Sequence, residues 1–199
     1  MKKPVFKGSA VAIITPFTSS GIDYDKLAEL CEFQIKNKTK AIVVAGTTGE
    51  ASTMPDEEHL DAIRFVVKTV NGRIPVVAGT GSNDTAHAID LSQRAADLGA
   101  DALLSVTPYY NKASQEGLYL HYKAIAEATD LPVILYNVPS RTSLNINPET
   151  LARLSQLPTI NAVKECRIDQ AGETAGLCGD NLNLYSGEDA MVLPMLSLG

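Results

Sequence analysis

A chain of 199 residues, 45% hydrophobic and 20% charged, carries enough apolar material for one full core and has the composition of an ordinary globular domain. Its net charge of −6 and its lack of any Lys/Arg cluster argue against nucleic acid and against an anionic membrane surface as partners. No apolar run reaches membrane-spanning length, and none follows Lys2 and Lys3 as a signal peptide would; no membrane partner and a cytoplasmic location are expected.

Cys31, Cys166 and Cys178 show no CxxC spacing and cannot all pair, which fits a reducing compartment without a disulfide framework. His59, His87 and His121 are scattered. Exposed helix positions explain them better than metal ligation, so no metal is expected.

Taken in order, the chain repeats one supersecondary unit. Residues 9–17 open with an apolar run that ends Thr-Pro-Phe, and Gly21 turns the chain. Asp23 is placed to cap a helix over 24–38 with apolar residues at Leu27, Leu30, Cys31 and Ile35. A second strand, 41–45, runs into Gly-Thr-Thr-Gly-Glu, and Pro55 and Asp56 open a helix to Val70 with a stripe of Leu60, Ile63, Val66 and Val67. The third strand is 75–79, and its helix, 84–98, is closed by Gly99. The fourth, 100–106, ends Thr-Pro-Tyr-Tyr-Asn before a helix starting near Ser114, with Glu116 favourable in its first turn. The fifth, 132–136, ends Asn-Val-Pro-Ser-Arg. Asn147 as cap and Pro148 in the first turn then begin a helix that stops before Pro158. The sixth strand is 160–167 and a poorly patterned helix covers 169–179. The seventh strand is 182–185, followed by Ser-Gly-Glu-Asp and an apolar segment to Leu198.

Seven strand–helix alternations joined by loops of ordinary length require a parallel sheet, either open and doubly wound or closed as a (β/α)8 barrel. Gly79-Thr-Gly81 lies between a strand and a helix, but Asp84 stands at the third glycine position of a dinucleotide fingerprint. Gly46-Thr-Thr-Gly49 lacks the lysine of a phosphate-binding loop. The barrel accounts for a further pattern. Thr15, Thr47, Thr48, Tyr109, Tyr110, Tyr136, Arg141 and Lys164 all stand at strand ends, which a barrel gathers at one mouth. Ser82, Asn83 and Ser186 are better explained as turn or cap residues.

Lys164 is the residue least at home in its surroundings. It sits near the end of the apolar sixth strand, where an ammonium is costly unless it is paired or gives up its proton. From the strand alone two readings stand: a lysine that reaches solvent or a carboxylate, or a desolvated amine able to attack a carbonyl and form a Schiff base.

Gly-Thr-Thr-Gly-Glu at 46–50, Thr-Pro-Tyr-Tyr-Asn at 107–111, Tyr-Asn-Val-Pro-Ser-Arg-Thr at 136–142 and Val-Lys-Glu at 163–165 resemble the dihydrodipicolinate synthase family. Ser-Gln-Glu-Gly at 114–117 fits as well, and the motifs occur in the family's order from Gly8 onward. The wider group, with N-acetylneuraminate lyases and related pyruvate aldolases, shares the lysine, the tyrosine and a similar glycine-threonine loop. The resemblance implies an α/β fold, a (β/α)8 barrel. This chain would supply about seven βα units of it, as one incomplete barrel domain over 1–199 without the family's eighth strand and C-terminal helices.

It also implies a chemistry. Lys164 would condense with the ketone of pyruvate, and Tyr136 would donate and accept protons. Thr47 and Tyr110 would complete a hydroxyl relay, the family taking that tyrosine from a neighbouring subunit. Thr48 would hold the pyruvate carboxylate, with Gly187 lining the pocket through its backbone. Arg141 would hold the carboxylate of L-aspartate 4-semialdehyde, and cyclisation would give 4-hydroxy-tetrahydrodipicolinate for lysine biosynthesis. No metal or nucleotide cofactor is implied, and a homo-oligomer, dimer or tetramer, is. A lysine near pH 7.5 is only about one part in a thousand neutral unless its pKa is lowered. Two alternatives accompany this reading: another pyruvate-dependent aldolase of the same family, and a non-catalytic keto-acid-binding module.

The chain departs from the family at its lysine-feedback site. Asn83 and Tyr109 match and His59 fits one of the histidines, but Ala51, Asp56 and His87 replace a serine, a histidine and a glutamate. Weak or absent feedback is expected. Ser140 and Ser143 replace glycines beside Arg141, and Cys166 stands two residues past Lys164, where it could pack or face the same pocket.

Overall fold

The computed structural model describes residues 2–198. It divides into two compact units, one made of residues 5–80 and 90–104, the other of the remaining described chain.

The first unit begins with β1 (Ala10–Ala12) and a hairpin of β2 (Phe17–Thr18) and β3 (Gly21–Ile22). Then follow α1 (Tyr24–Lys36), β4 (Ala41–Val44), α2 (Asp56–Val70) and β5 (Val76–Gly79). The chain passes between the units within α3 (Thr85–Asp97) and again within β6 (Ala102–Val106). Strands β1, β4, β5 and β6 lie side by side in chain order, each parallel to the next. β4 reads Ala-Ile-Val-Val and β5 Val-Val-Ala-Gly, buried at every residue, as parallel strands covered on both faces must be. The Asp23 carboxylate accepts the Lys26 amide and starts α1 as its position foretells. α2 buries Leu60, Ile63, Val66 and Val70 on one stripe, carries Asp56, Glu57 and Glu58 in its first turn, and ends at a left-handed Asn71.

The second unit contains α4 (Gln115–Glu127), β7 (Val133–Asn137), α5 (Pro139–Thr142) and α6 (Pro148–Leu154). It continues with β8 (Ile160–Glu165), α7 (Ala171–Cys178), β9 (Asn183–Ser186) and α8 (Val192–Leu196). Its strands follow the order β6-β7-β8-β9, with β8 parallel to both neighbours. One irregularity interrupts β7 and β8: Val133 faces Ile160 but Ile134 faces Ala162, so Asn161 is extra.

The sequence-derived elements stand with trimmed ends. Two pieces went unforeseen, the β2–β3 hairpin and the four-residue α5. The first uses the Thr-Pro-Phe end of the opening strand, which shortens β1 to three residues. Asn147 precedes α6 but makes no side-chain cap, because its Oδ1 accepts from Asn145 instead. The histidines require a larger correction. His59 and His121 are buried, not exposed. Partners inside the protein contribute to this: His59 Nε2 lies 2.7 Å from the Gly79 carbonyl and His121 Nδ1 2.8 Å from Thr85 Oγ1, while His121 Nε2 is buried without a hydrogen-bond partner. Burial pushes the His121 pKa down to about 4, so the ring is neutral at physiological pH.

At the ends of β4 and β5 the backbones touch. A Cβ on Gly79 would lie 2.1 Å from the Ala45 carbonyl oxygen, and backbone cannot give way as a flexible side chain can. Gly79→Ala should therefore cost about 1–3 kcal/mol or more in urea unfolding. Gly176→Ala, in open space on α7, should stabilise by about 0.4–1 kcal/mol.

Candidate active site

Strand β8 reads Ile-Asn-Ala-Val-Lys-Glu. Successive side chains alternate in direction, and residues paired across parallel strands point to the same face. Tyr136 is the partner of Lys164, and Asn137 of Glu165. The amine and the phenol therefore share one face, while the amide and the carboxylate share the other. The contacts agree: Lys164 Nζ lies 4.3 Å from the centroid of the Tyr136 ring, and Asn137 Nδ2 donates to both Glu165 oxygens at 2.9 and 3.1 Å.

Lys164 is half-buried, and among the described residues no carboxylate stands within ion-pair distance of it. The reading in which a salt bridge explains this lysine thus loses its partner. Burial is the largest influence on the amine and lowers its pKa. Cys166, Glu188 and Asp189 act in the opposite direction, and Arg141 acts with burial. The Cys166 influence vanishes at neutral pH, because burial raises that thiol to about 11 and leaves it uncharged. The face of the Tyr136 ring favours the ammonium and offsets part of the burial cost. Tyr136 is 7% exposed and its pKa is pushed up to about 12, mainly by burial. At neutral pH it has a proton to donate.

Gly187 follows β9, and its amide donates to the Glu165 carbonyl at 2.8 Å. A Cβ here would meet Cys166 Sγ at 2.3 Å and Lys164 Cε at 3.2 Å. The missing side chain makes room for both, and Cys166 therefore lies beside the lysine arm.

Arg141 is on α5, whose next residue, Thr142, is buried and accepts from Thr107 Oγ1 at 3.0 Å. The guanidinium is exposed, and no carboxylate of the described residues pairs with it. Arg141 lines an open cleft with Tyr109, Tyr110, Lys112, Thr142 and Ser143. Tyr110 is 88% exposed and held at a φ of +77°, a conformation rare for a bulky residue. Asn83 Nδ2 donates to the Tyr109 carbonyl at 3.3 Å.

The second unit thus brings together Lys164, Tyr136 and Gly187, and places Arg141 with Tyr109 and Tyr110 in one cleft. Thr47 and Thr48 belong to the first unit. Both are exposed on the turn after β4, where Glu50 N donates to the Thr47 carbonyl and buried Thr15 donates to the Gly49 carbonyl at 2.8 Å. His59 is in the same unit, bonded to Gly79 as described. Ser82 and Ser186 serve their turns, accepting from the amides of Asp84 and Glu188. Among the described residues no group of three or more His, Cys, Asp or Glu could hold a metal ion. Among the described residues no helix is long and apolar enough to cross a membrane.

Sequence reasoning missed what lies on the other face of β8. Glu165 is 1% exposed, and its carboxylate accepts from Asn137, Gln170 and the Arg167 amide. Burial raises its pKa and these donors oppose the rise. The signal was present in the chain as Asn137, Asn145, Glu165 and Gln170. What ties them together is proximity, which spacing along the chain does not reveal.

Residues 5–199 match the Dihydrodipicolinate synthetase family. The chain is 58% identical over 199 residues to the 4-hydroxy-tetrahydrodipicolinate synthase of Acetivibrio thermocellus, covering all of this chain and 68% of that protein. It is 55% identical over 197 residues to the enzyme of the same name from Geobacter metallireducens, covering 98% and 68%. Among solved structures, dihydrodipicolinate synthase from Aquifex aeolicus superposes with a TM-score of 0.95 at 46% identity, covering 98% of this chain and 67% of that one. The Acinetobacter baumannii enzyme, solved in complex with pyruvate, gives 0.93 at 47%, covering 96% and 67%.

The lowered pKa of Lys164 predicts its reactivity. Acylation of this amine by a small neutral reagent, followed by peptide mapping across pH, should reach half its maximal rate below the value of about 10.4 expected for a free lysine. A midpoint at or above that value would mean the amine is fully hydrated.

Proposed function

Because this chain belongs to the dihydrodipicolinate synthase family, lyases of the (β/α)8-barrel class, we propose that it condenses pyruvate with L-aspartate 4-semialdehyde to give 4-hydroxy-tetrahydrodipicolinate. The observation that carries this reading is the half-buried Lys164 amine over the ring of a protonated Tyr136.

In the proposed sequence the neutral amine attacks the pyruvate ketone. Loss of water from the carbinolamine, helped by a proton from Tyr136, gives an iminium. The iminium draws electrons from the adjacent C–H bond, and loss of that methyl proton gives an enamine. The enamine carbon attacks the aldehyde of the second substrate and forms the new C–C bond. The substrate's amine then displaces the lysine as the ring closes, which frees the enzyme. Arg141, without a protein carboxylate to pair with, suits the semialdehyde's carboxylate through its planar fork of donors. Thr48 and the Gly187 backbone are assigned to the pyruvate carboxylate, and Thr47 and Tyr110 to proton relay. The strained, exposed Tyr110 supports a homo-oligomer in which this ring serves a neighbouring copy. The enzyme would act in the cytoplasm, in lysine biosynthesis, with no cofactor beyond the covalent lysine–pyruvate imine.

Borohydride reduction of the protein with pyruvate, followed by peptide mapping, tests the reading. An adduct is expected on Lys164 alone and should be absent from Lys164→Ala. A folded protein without an adduct would instead be a binding module. Comparing turnover of L-aspartate 4-semialdehyde with that of N-acetylmannosamine separates this reaction from that of a sugar-acid aldolase.

Feedback by lysine is proposed to be weak. Asn83, Tyr109 and His59 are the candidate effector residues, while Ala51, Asp56 and His87 stand where lysine-sensitive members carry other groups. A related enzyme from Cyanidioschyzon merolae, 41% identical, has been solved with lysine bound. Calorimetric titration with lysine should show no saturable binding below millimolar concentrations; tight binding would reverse this assignment.

A further inference from the structure

The hydrogen bonds of Glu165 form a closed ring. Its carboxylate accepts from Asn137 Nδ2, and that amide also donates to Asn145 Oδ1 at 2.9 Å. Asn145 Nδ2 donates to Gln170 Oε1 at 2.9 Å, and Gln170 Nε2 returns to Glu165 Oε2 at 2.8 Å. Two backbone bonds lock the ring in place: the Ile146 amide donates to Asn137 Oδ1 at 3.0 Å, and Gln170 Nε2 donates to the Ile146 carbonyl at 3.1 Å.

The ring therefore grips one excursion of the chain at both ends, at Asn137 and at Asn145–Ile146. Residues 138–144 lie between, and their only charged side chain is Arg141. The grip comes from the residue next to the nucleophile, on the opposite face of the same strand. Lys164 and Arg141 are thus referenced to one anchor.

The chemistry of the anchor is specific. Both Glu165 oxygens face donors: Oε1 the Asn137 amide and the Arg167 N–H, Oε2 the Asn137 amide and Gln170 Nε2. Among the described residues no cation pairs with it, and the Arg167 guanidinium turns to Asp169. A buried charge without a counter-ion is costly, yet charge-assisted bonds are stronger and hold geometry more tightly than amide–amide bonds. Glutamine has the same shape but must point its NH2 at another donor whichever way it turns.

We propose that Glu165, through Asn137, Asn145 and Gln170, is a positioning residue that sets Arg141 relative to Lys164 and so governs recognition of the second substrate's carboxylate. This rests on the function proposed above, and its failure can be told apart from failure of that reading. The full-length chain would be compared with Glu165→Gln, Asn145→Ala and Arg141→Ala. Pyruvate capture is read as the borohydride-trapped adduct on Lys164. Carboxylate recognition is read by calorimetry of the pyruvate-loaded protein with succinamate, a four-carbon carboxylate that cannot condense.

Glu165→Gln and Asn145→Ala should each weaken succinamate about tenfold, in the direction of Arg141→Ala, while adduct yield falls far less. Asn145→Ala leaves β8 untouched, so it preserves the test if the glutamine variant folds poorly. Wild-type affinity in Asn145→Ala, or a loss of adduct in proportion to the loss of affinity, would overturn the proposal. A wild-type protein that binds succinamate but forms no adduct would overturn the Schiff-base reading, and this proposal with it.

Discussion

Between Val133 and Ile134 the pairing of β7 with β8 skips Asn161, and Tyr136 comes to face Lys164. Without that extra residue the count would run Val133 to Ile160, Tyr136 to Val163 and Asn137 to Lys164. The phenol would then sit beside a valine, and the amine beside an amide. A shift of one residue reverses which face every side chain of a strand occupies, so this irregularity decides which groups meet. Asn161 is itself held, donating to the Lys3 carbonyl and accepting from Asn183 through its own carbonyl. The bulge is therefore fixed in place by contacts on both sides.

The two faces of β8 do different work with the same physical means. On one, burial opposes the charge of Lys164 and raises the Tyr136 phenol, leaving an amine inclined to be a nucleophile beside a group inclined to keep its proton. On the other, burial also opposes the charge of Glu165, but four donor contacts answer it. Among the described residues Lys164 has no such set of partners, and its burial is left largely unanswered.

Arg141, on the four-residue α5, shows how a short segment can present a polar group from a buried anchor. Thr142 beside it is buried and bonded to Thr107, the Glu165 ring holds both ends of the segment, and the guanidinium is left exposed. Anchoring on both sides limits the conformations open to this segment. Its neighbour Tyr110 shows the opposite, a bulky ring in an uncommon backbone state and almost wholly exposed.

Much of this was legible in the chain itself. Alternating apolar runs and helix stripes specify a parallel α/β sheet because each strand buried on both faces must be apolar throughout, as β4 and β5 are. Lys164 stood out for the same reason, as a charge in such a run, and four motifs in order pointed to the family. The histidines were misjudged because composition cannot show a carbonyl or hydroxyl waiting inside for a ring nitrogen. What only the tertiary structure decided is the skipped residue between β7 and β8 and the ring closed by Glu165. Both depend on which residues become neighbours across strands, and hydrogen bonds between distant residues leave no periodic trace in the sequence.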